Sequence, residues 1–247
     1  MIRKIYLLYP LMLLCITACT KRETQSIDLS GDITGTINTY LEYGPESRDR
    51  ANVAVSLIGS NLPAVYTNSD GKYTIKDVPL GRYTVSISKD GYGTYTYDYF
   101  NFIGGDKAKD ISTFLRQKSS TKIIDYSLSF SANRVFFSGT IAHVYPQSGM
   151  NSYPYSWPGL SIYFSFSPSI SSTSYNISSN FYTDQNMPTH FSDSLYVSFS
   201  TFPHGSTVYA IIYGRTIGNY LLYNYETGTF YDPCQGEPST IKSIVIP

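Results

Sequence analysis

The chain has 247 residues, with 18 basic and 18 acidic side chains, 25 tyrosines, 13 phenylalanines and one tryptophan. A balance this close to neutral, without a basic block, removes the electrostatic reason to expect DNA or RNA as a partner. Cys15, Cys19 and Cys234 are the only cysteines, too few for a disulfide-stapled scaffold.

Residues 1–18 read as an export signal. Basic Arg3 and Lys4 precede an apolar run from Ile5 to Ile16, and small residues stand just before Cys19. The run is too short and wrongly flanked for a spanning helix. Ile16-Thr17-Ala18-Cys19 resembles the lipobox of bacterial lipoproteins. The resemblance implies cleavage before Cys19 and acylation of its amine and thiol, so that the mature protein hangs from a membrane by lipid. One acyl chain, at about 0.8 kcal/mol per buried CH₂, attaches reversibly, whereas two or three hold firmly. Thr20, where an aspartate would retain the protein, resembles cargo sorted to the outer membrane. Lys21-Arg22-Glu23 matches poorly the acidic stretch that sends such cargo outward, so the periplasmic face and the cell surface both stay open. Loss of Arg3 and Lys4 leaves a mature charge of about −2. Cys15 leaves with the signal and Cys19 carries lipid, so Cys234 has no intrachain disulfide partner.

After a tether at 19–27, residues 28–118 show short alternating strands separated by turns. Ile33-Thr34-Gly35-Thr36-Ile37 alternates, a charged connection runs from Glu42 to Arg50, and Val53, Val55 and Leu57 share one face. Asn68-Ser69-Asp70-Gly71 is a tight turn before Tyr73 and Ile75. Val78-Pro79-Leu80-Gly81 makes a corner, and Tyr83, Val85 and Ile87 form another inward row before Asp90-Gly91. This pattern argues for an antiparallel sandwich. These segments, with Thr67 to Ile75 and Lys89-Asp90-Gly91-Tyr92, resemble the carboxypeptidase regulatory-like domain, a transthyretin-like sandwich. The resemblance implies a stabilising or presenting module with no reaction of its own. Asn52 stands where the family usually has glycine, a residue that tolerates left-handed backbone.

A charged break from Arg116 to Lys122 precedes residues 119–247. Strands are expected at Ile123 to Phe130, Val135 to Ile141, Leu160 to Phe166, Tyr175 to Phe181, Leu195 to Phe199, Thr207 to Tyr213 and Thr240 to Ile246. Seven short strands suit a second sandwich. Gly159 to Ser165 and Gly205 to Tyr213 resemble a diverged fibronectin type III or immunoglobulin-like domain, although the tryptophan expected in an early strand is missing. The fold class is therefore all-β, with two β-sandwich domains in tandem after a lipoprotein signal peptide.

Trp157 lies instead in a proline-rich loop with Tyr145, Tyr153 and Tyr155. Flat rings on a loop stiffened by prolines can stack on sugar faces, with Gln147 or Asn151 supplying polar contacts. The same rings could plug the open end of the sandwich or pack against the first domain. Tyr95, Tyr97 and Tyr99 have period two and point one way if their segment is a regular strand.

Catalytic signals are sparse. His143, His190 and His204 are the only histidines, none in an H-E-x-x-H arrangement, and there is no G-x-S-x-G elbow or phosphate-cradling glycine run. No cofactor is expected. The reading is a noncatalytic, lipid-anchored envelope protein that binds or presents, with glycan or envelope protein as partner. A structural accessory subunit is the alternative, and a glycan hydrolase the lesser one, because a pair among 18 carboxylates could converge.

Overall fold

A computed structural model describes residues 30–42, 44, 46–142, 159–183, 189–196, 202–216, 221–224 and 228–247. Among them the structure is all β, with no helix.

The N-terminal strands are β1 (Gly31–Tyr40), β2 (Glu46–Ser47), β3 (Ala54–Ile58), β4 (Val65–Tyr66), β5 (Lys72–Val78), β6 (Gly81–Ser88), β7 (Tyr95–Phe102), β8 (Lys109–Asp110) and β9 (Thr113–Arg116). One sheet has the order β2-β1-β5, with β8 and β9 running parallel to β1; the other is antiparallel, in the order β4-β3-β6-β7. Alternation sends Ile33, Ile37, Val55, Ile75, Val85 and Ile87 into one core between the sheets. The turn before β5 closes as its residues require. Gly71 adopts φ +78°, and a Cβ there would lie 2.4 Å from the Ile37 carbonyl oxygen. The Asn68 side chain accepts the Asp70 and Lys72 N–H groups. Asn52 takes φ +57°, the left-handed backbone that its side chain tolerates.

The tyrosine row in β7 is interrupted. Tyr95 and Tyr97 pair with Ile87 and Val85, but the register shifts before Phe100 pairs with Tyr83. Tyr99 takes φ +55° at this bulge, is half exposed, and has the Arg82 guanidinium 4.5 Å from its ring centroid. Phe100 and Phe102 take the inward places that strict alternation would have assigned to Tyr99 and Asn101.

The C-terminal strands are β10 (Lys122–Ser131), β11 (Arg134–Ala142), β12 (Gly159–Ser165), β13 (Ile177–Tyr182), β14 (His190–Tyr196), β15 (Thr207–Arg215), β16 (Leu222–Asn224), β17 (Thr229–Tyr231) and β18 (Lys242–Val245). They form the sheets β10-β11-β14 and β13-β12-β15-β18, with β16 and β17 paired separately. The core between the two sheets is rich in rings: Phe137 lies 4.9 Å from Phe181 and 6.2 Å from Phe164. Tyr126 ties the sheets together by donating its hydroxyl to the Ala210 carbonyl at 2.7 Å. Strand β12 is buried on both faces, because Tyr163 joins Ile170 and Ile211 in a second cluster behind the sheet.

The segment between the two cores is a buried polar joint. Ser119 N–H donates to the Cys234 carbonyl at 2.9 Å, Lys118 N–H to Gly91, and Gly93 N–H to Arg116. The Glu42 carboxylate, 5% exposed, accepts the Ser119 hydroxyl at 2.8 Å and the Ser120 N–H at 2.9 Å. Arg215 faces Asp232 at 3.6 Å, both side chains being buried. Within the break read in the sequence, Ser119 and Thr121 are buried, Arg116 is half-buried, and Lys118 and Lys122 remain exposed.

Candidate functional site

The outward face of the β10-β11-β14 sheet brings together the polar and aromatic groups that a ligand surface needs. Directly opposed residues of antiparallel strands share a face. The outward rows are therefore Ser131, Arg134 and Tyr196; Ser129, Phe136 and Ser194; Ser127, Ser138 and Ser192; and Asp125, Thr140 and His190. The alternate rows carry Phe137, Tyr126 and Phe191 into the core. Serine suits these strands because its short side chain satisfies its hydroxyl locally, as in the 3.2 Å contact between the Ser127 and Ser138 Oγ atoms.

Two chemically different ends result. At one end, a groove of about 440 Å³ is lined by Asp125, Thr140, His190 and the serine row 127, 138 and 192. Beneath it, on the inward row, Gly139 lets its neighbours close in: a Cβ there would lie 2.3 Å from the Asp125 carbonyl oxygen and 2.7 Å from the Phe191 ring. Lys242 reaches over from β18 to bond Asp125 at 2.6 Å, and its amine also bonds the Tyr126 carbonyl. The Lys242 hydrogen bond holds the exposed Asp125 carboxyl below its ordinary value. The His190 Nδ1 shares a 3.0 Å hydrogen bond with the Thr189 hydroxyl.

At the other end stand two exposed rings. Phe136 is 39% exposed and Tyr196 62%, and their register makes them diagonal neighbours on this face. Arg134 lies beside them with its guanidinium pinned to β14: Nε donates to the Ser194 hydroxyl at 2.9 Å and Nη2 to the Ser194 carbonyl at 3.2 Å. Rings next to hydroxyl rows can stack a sugar ring and hydrogen-bond its edge.

Cys19, Tyr145, Tyr153, Tyr155 and Trp157, the lipidation and ligand residues expected from sequence, lie outside the described residues. Nothing in the sequence marks Phe136 and Tyr196 as a pair, although the Val135-Phe136-Phe137 alternation already turns one ring away from its neighbours. Near the C-terminus, the Tyr223 and Phe230 rings meet at a tilt, with centroids 4.9 Å apart. Cys234 is buried, and burial pushes its thiol up to about 12, with Asp232 adding to the shift. That is the environment of an inert thiol. Among the described residues no group of three or more His, Cys, Asp or Glu side chains could hold a metal ion.

Residues 44–113 match the carboxypeptidase regulatory-like domain family, in agreement with the resemblance seen in the sequence. No curated protein matches the chain. Among solved structures, a type II cohesin–X-dockerin complex from Acetivibrio cellulolyticus is 26% identical over 36% of this chain, with a TM-score of 0.30. The match spans 59% of that chain. A DUF3823 family protein from Bacteroides ovatus is 12% identical over 88% of this chain and 100% of its own, TM-score 0.36. A protein from Bacteroides uniformis proposed to bind carbohydrate is 12% identical over 87% and 99%, TM-score 0.32.

Proposed function

We propose that this is a noncatalytic, lipid-anchored protein of the cell envelope that binds carbohydrate on the outward face of the β10-β11-β14 sheet. The carrying observation is the pair of exposed rings, Phe136 and Tyr196, set beside rows of serine hydroxyls that lead into the groove at Asp125 and His190. The lipid on Cys19 holds the body at the outer membrane, on its periplasmic face or at the surface. The first sandwich, 28–118, serves as a presenting module and the second, 119–247, as the binding module. Supporting that division, one core ends at Leu115 and the next begins at Tyr126. A structural accessory role is the second reading, favoured by the polar joint that fastens the two bodies together.

The test is a glycan array probed with the detergent-solubilised full chain. Binding that falls at least tenfold in a Phe136→Ala, Tyr196→Ala double variant, with the thermal midpoint held, supports the reading. Binding that survives the double variant and disappears with Trp157→Ala moves the site to the loop at 145–157. No glycan bound at all leaves the accessory role.

A further inference from the structure

We infer that the sugar recognised on this face is acidic, its carboxylate held by Arg134; the inference rests on the carbohydrate reading above. Arg134 presents five N–H donors in a rigid fork. Ser194 takes the side edge of that fork through Nε and one hydrogen of Nη2. The end edge, Nη1 with the second hydrogen of Nη2, has the geometry that pairs with both oxygens of a carboxylate. No carboxylate lies within ion-pair distance of Arg134 among the described residues, although four such pairs occur elsewhere: Arg50 with Glu46, Lys89 with Asp49, Arg215 with Asp232 and Lys242 with Asp125.

The charges nearby agree. Asp125, the acid on the same face, is three rows away and is neutralised by Lys242. Asp193 belongs to the alternate row, opposite buried Phe137, and accepts the Ser194 N–H at 2.7 Å. Two basic groups on this face stand outside those ion pairs, Arg134 and, in the row opposite Ala142 at the far end, Lys122. Arg134 is the one pinned by hydrogen bonds before any ligand arrives, and it is flanked by Tyr196 and Phe136. A sugar ring stacked on Tyr196 would bring a substituent carboxylate to the guanidinium, while its hydroxyl groups meet Ser129 and Ser131. A pinned arginine loses little freedom on binding, which favours it over a mobile lysine for this task.

The experiment uses the detergent-solubilised full chain and a panel of uronic-acid and sialic-acid oligosaccharides, each beside its carboxyl-reduced form, with neutral oligosaccharides alongside. At least one acidic form should bind tenfold or more tightly than its reduced partner, with a preference that shrinks as salt rises. Arg134→Met should erase the preference, whereas Arg134→Lys should retain part of it, because the charge remains and the fork is lost. Thermal midpoints of both variants report whether the sheet persists. Equal binding of acidic and reduced forms, binding of neutral sugars alone, or a preference unchanged in Arg134→Met overturns the acidic assignment and leaves the carbohydrate reading intact. Binding of none of the sugars removes both.

Discussion

The backbone N–H of Ser119 donates to the Cys234 carbonyl oxygen at 2.9 Å, joining the segment between the two cores to a turn near the C-terminus. Around this bond, Cys234 Sγ donates to the Arg116 carbonyl at 3.4 Å, and Gln235 bonds the Tyr163 hydroxyl. Two of these bonds, Ser119 to Cys234 and Cys234 to Arg116, join residues more than a hundred positions apart and fasten the segment between the two sandwich-like bodies.

Gly93 allows that approach. A Cβ on it would lie 2.6 Å from the Pro233 carbonyl oxygen and 2.7 Å from Cys234 Sγ, and backbone cannot yield cheaply. Gly93→Ala should destabilise the protein by about 1–3 kcal/mol through overpacking. Labelling of Cys234 by a thiol reagent under native conditions should be negligible in the parent and faster in the variant. Equal labelling rates would show that the joint does not depend on this contact.

Asp232 and Arg215 are both buried, and burial raises the Asp232 carboxyl despite the opposing effects of the Cys234 N–H and Arg215. Asp232→Asn keeps the shape while removing the charge that faces the guanidinium. The expected cost is about 3–5 kcal/mol, the penalty for breaking a buried pair from one side. The denaturant midpoint measures it. A loss below about 1 kcal/mol would place the pair in the class of surface ion pairs.

Glu42 makes a prediction about pH. Burial raises its carboxyl above the ordinary value, more than the hydrogen bonds from Ser120 and Ser119 lower it. Between the ordinary and the raised value the folded protein binds more protons than the unfolded chain, so stability falls as pH rises through that interval. Glu42→Gln keeps an acceptor oxygen for Ser119 and Ser120 and cannot ionise. Denaturation midpoints measured from about pH 4 to about pH 8 should slope less steeply in the variant. Asp232 contributes a slope of the same sign, so the variant should retain part of it.

The strands were legible in the sequence wherever alternation and turn chemistry agreed. Asn68 to Gly71 predicts its own turn, and Val85 and Ile87 announce their face. Tyr99 was misplaced because a bulge inserts a residue without changing composition, leaving the period of two to run on past it. Glu42 and Arg116 read as part of charged, solvated connections. The burial of Glu42 and the half-burial of Arg116 depend on Ser119, Ser120 and the turn at Cys234, partners brought close only by tertiary folding. The outward rings failed to stand out for another reason: in a chain with 25 tyrosines and 13 phenylalanines, abundance conceals which ring faces water. Only the pairing of β11 with β14 sets Phe136 beside Tyr196.

The lipid anchor proposed at Cys19 is tested by Cys19→Ser. The variant should lose acyl labelling and move from the membrane fraction to the soluble fraction, because the remaining sequence has no second long apolar run to hold it. Unchanged labelling would remove Cys19 as the attachment point.

Two adjacent phenylalanines test the register on which the candidate site depends. Phe137 is 1% exposed and packs against Phe181 and Phe164, whereas Phe136 points to the opposite face. Phe137→Ala should cost about 3–5 kcal/mol through lost burial and the cavity left behind. Phe136→Ala should stay within about 0.5 kcal/mol, as surface substitutions do. A slip of one residue between β10, β11 and β14 would exchange the two results, since every side chain would change face. Equilibrium unfolding of the two single variants therefore decides whether the serine rows, Arg134 and the exposed rings share the outward surface, before any ligand is tried.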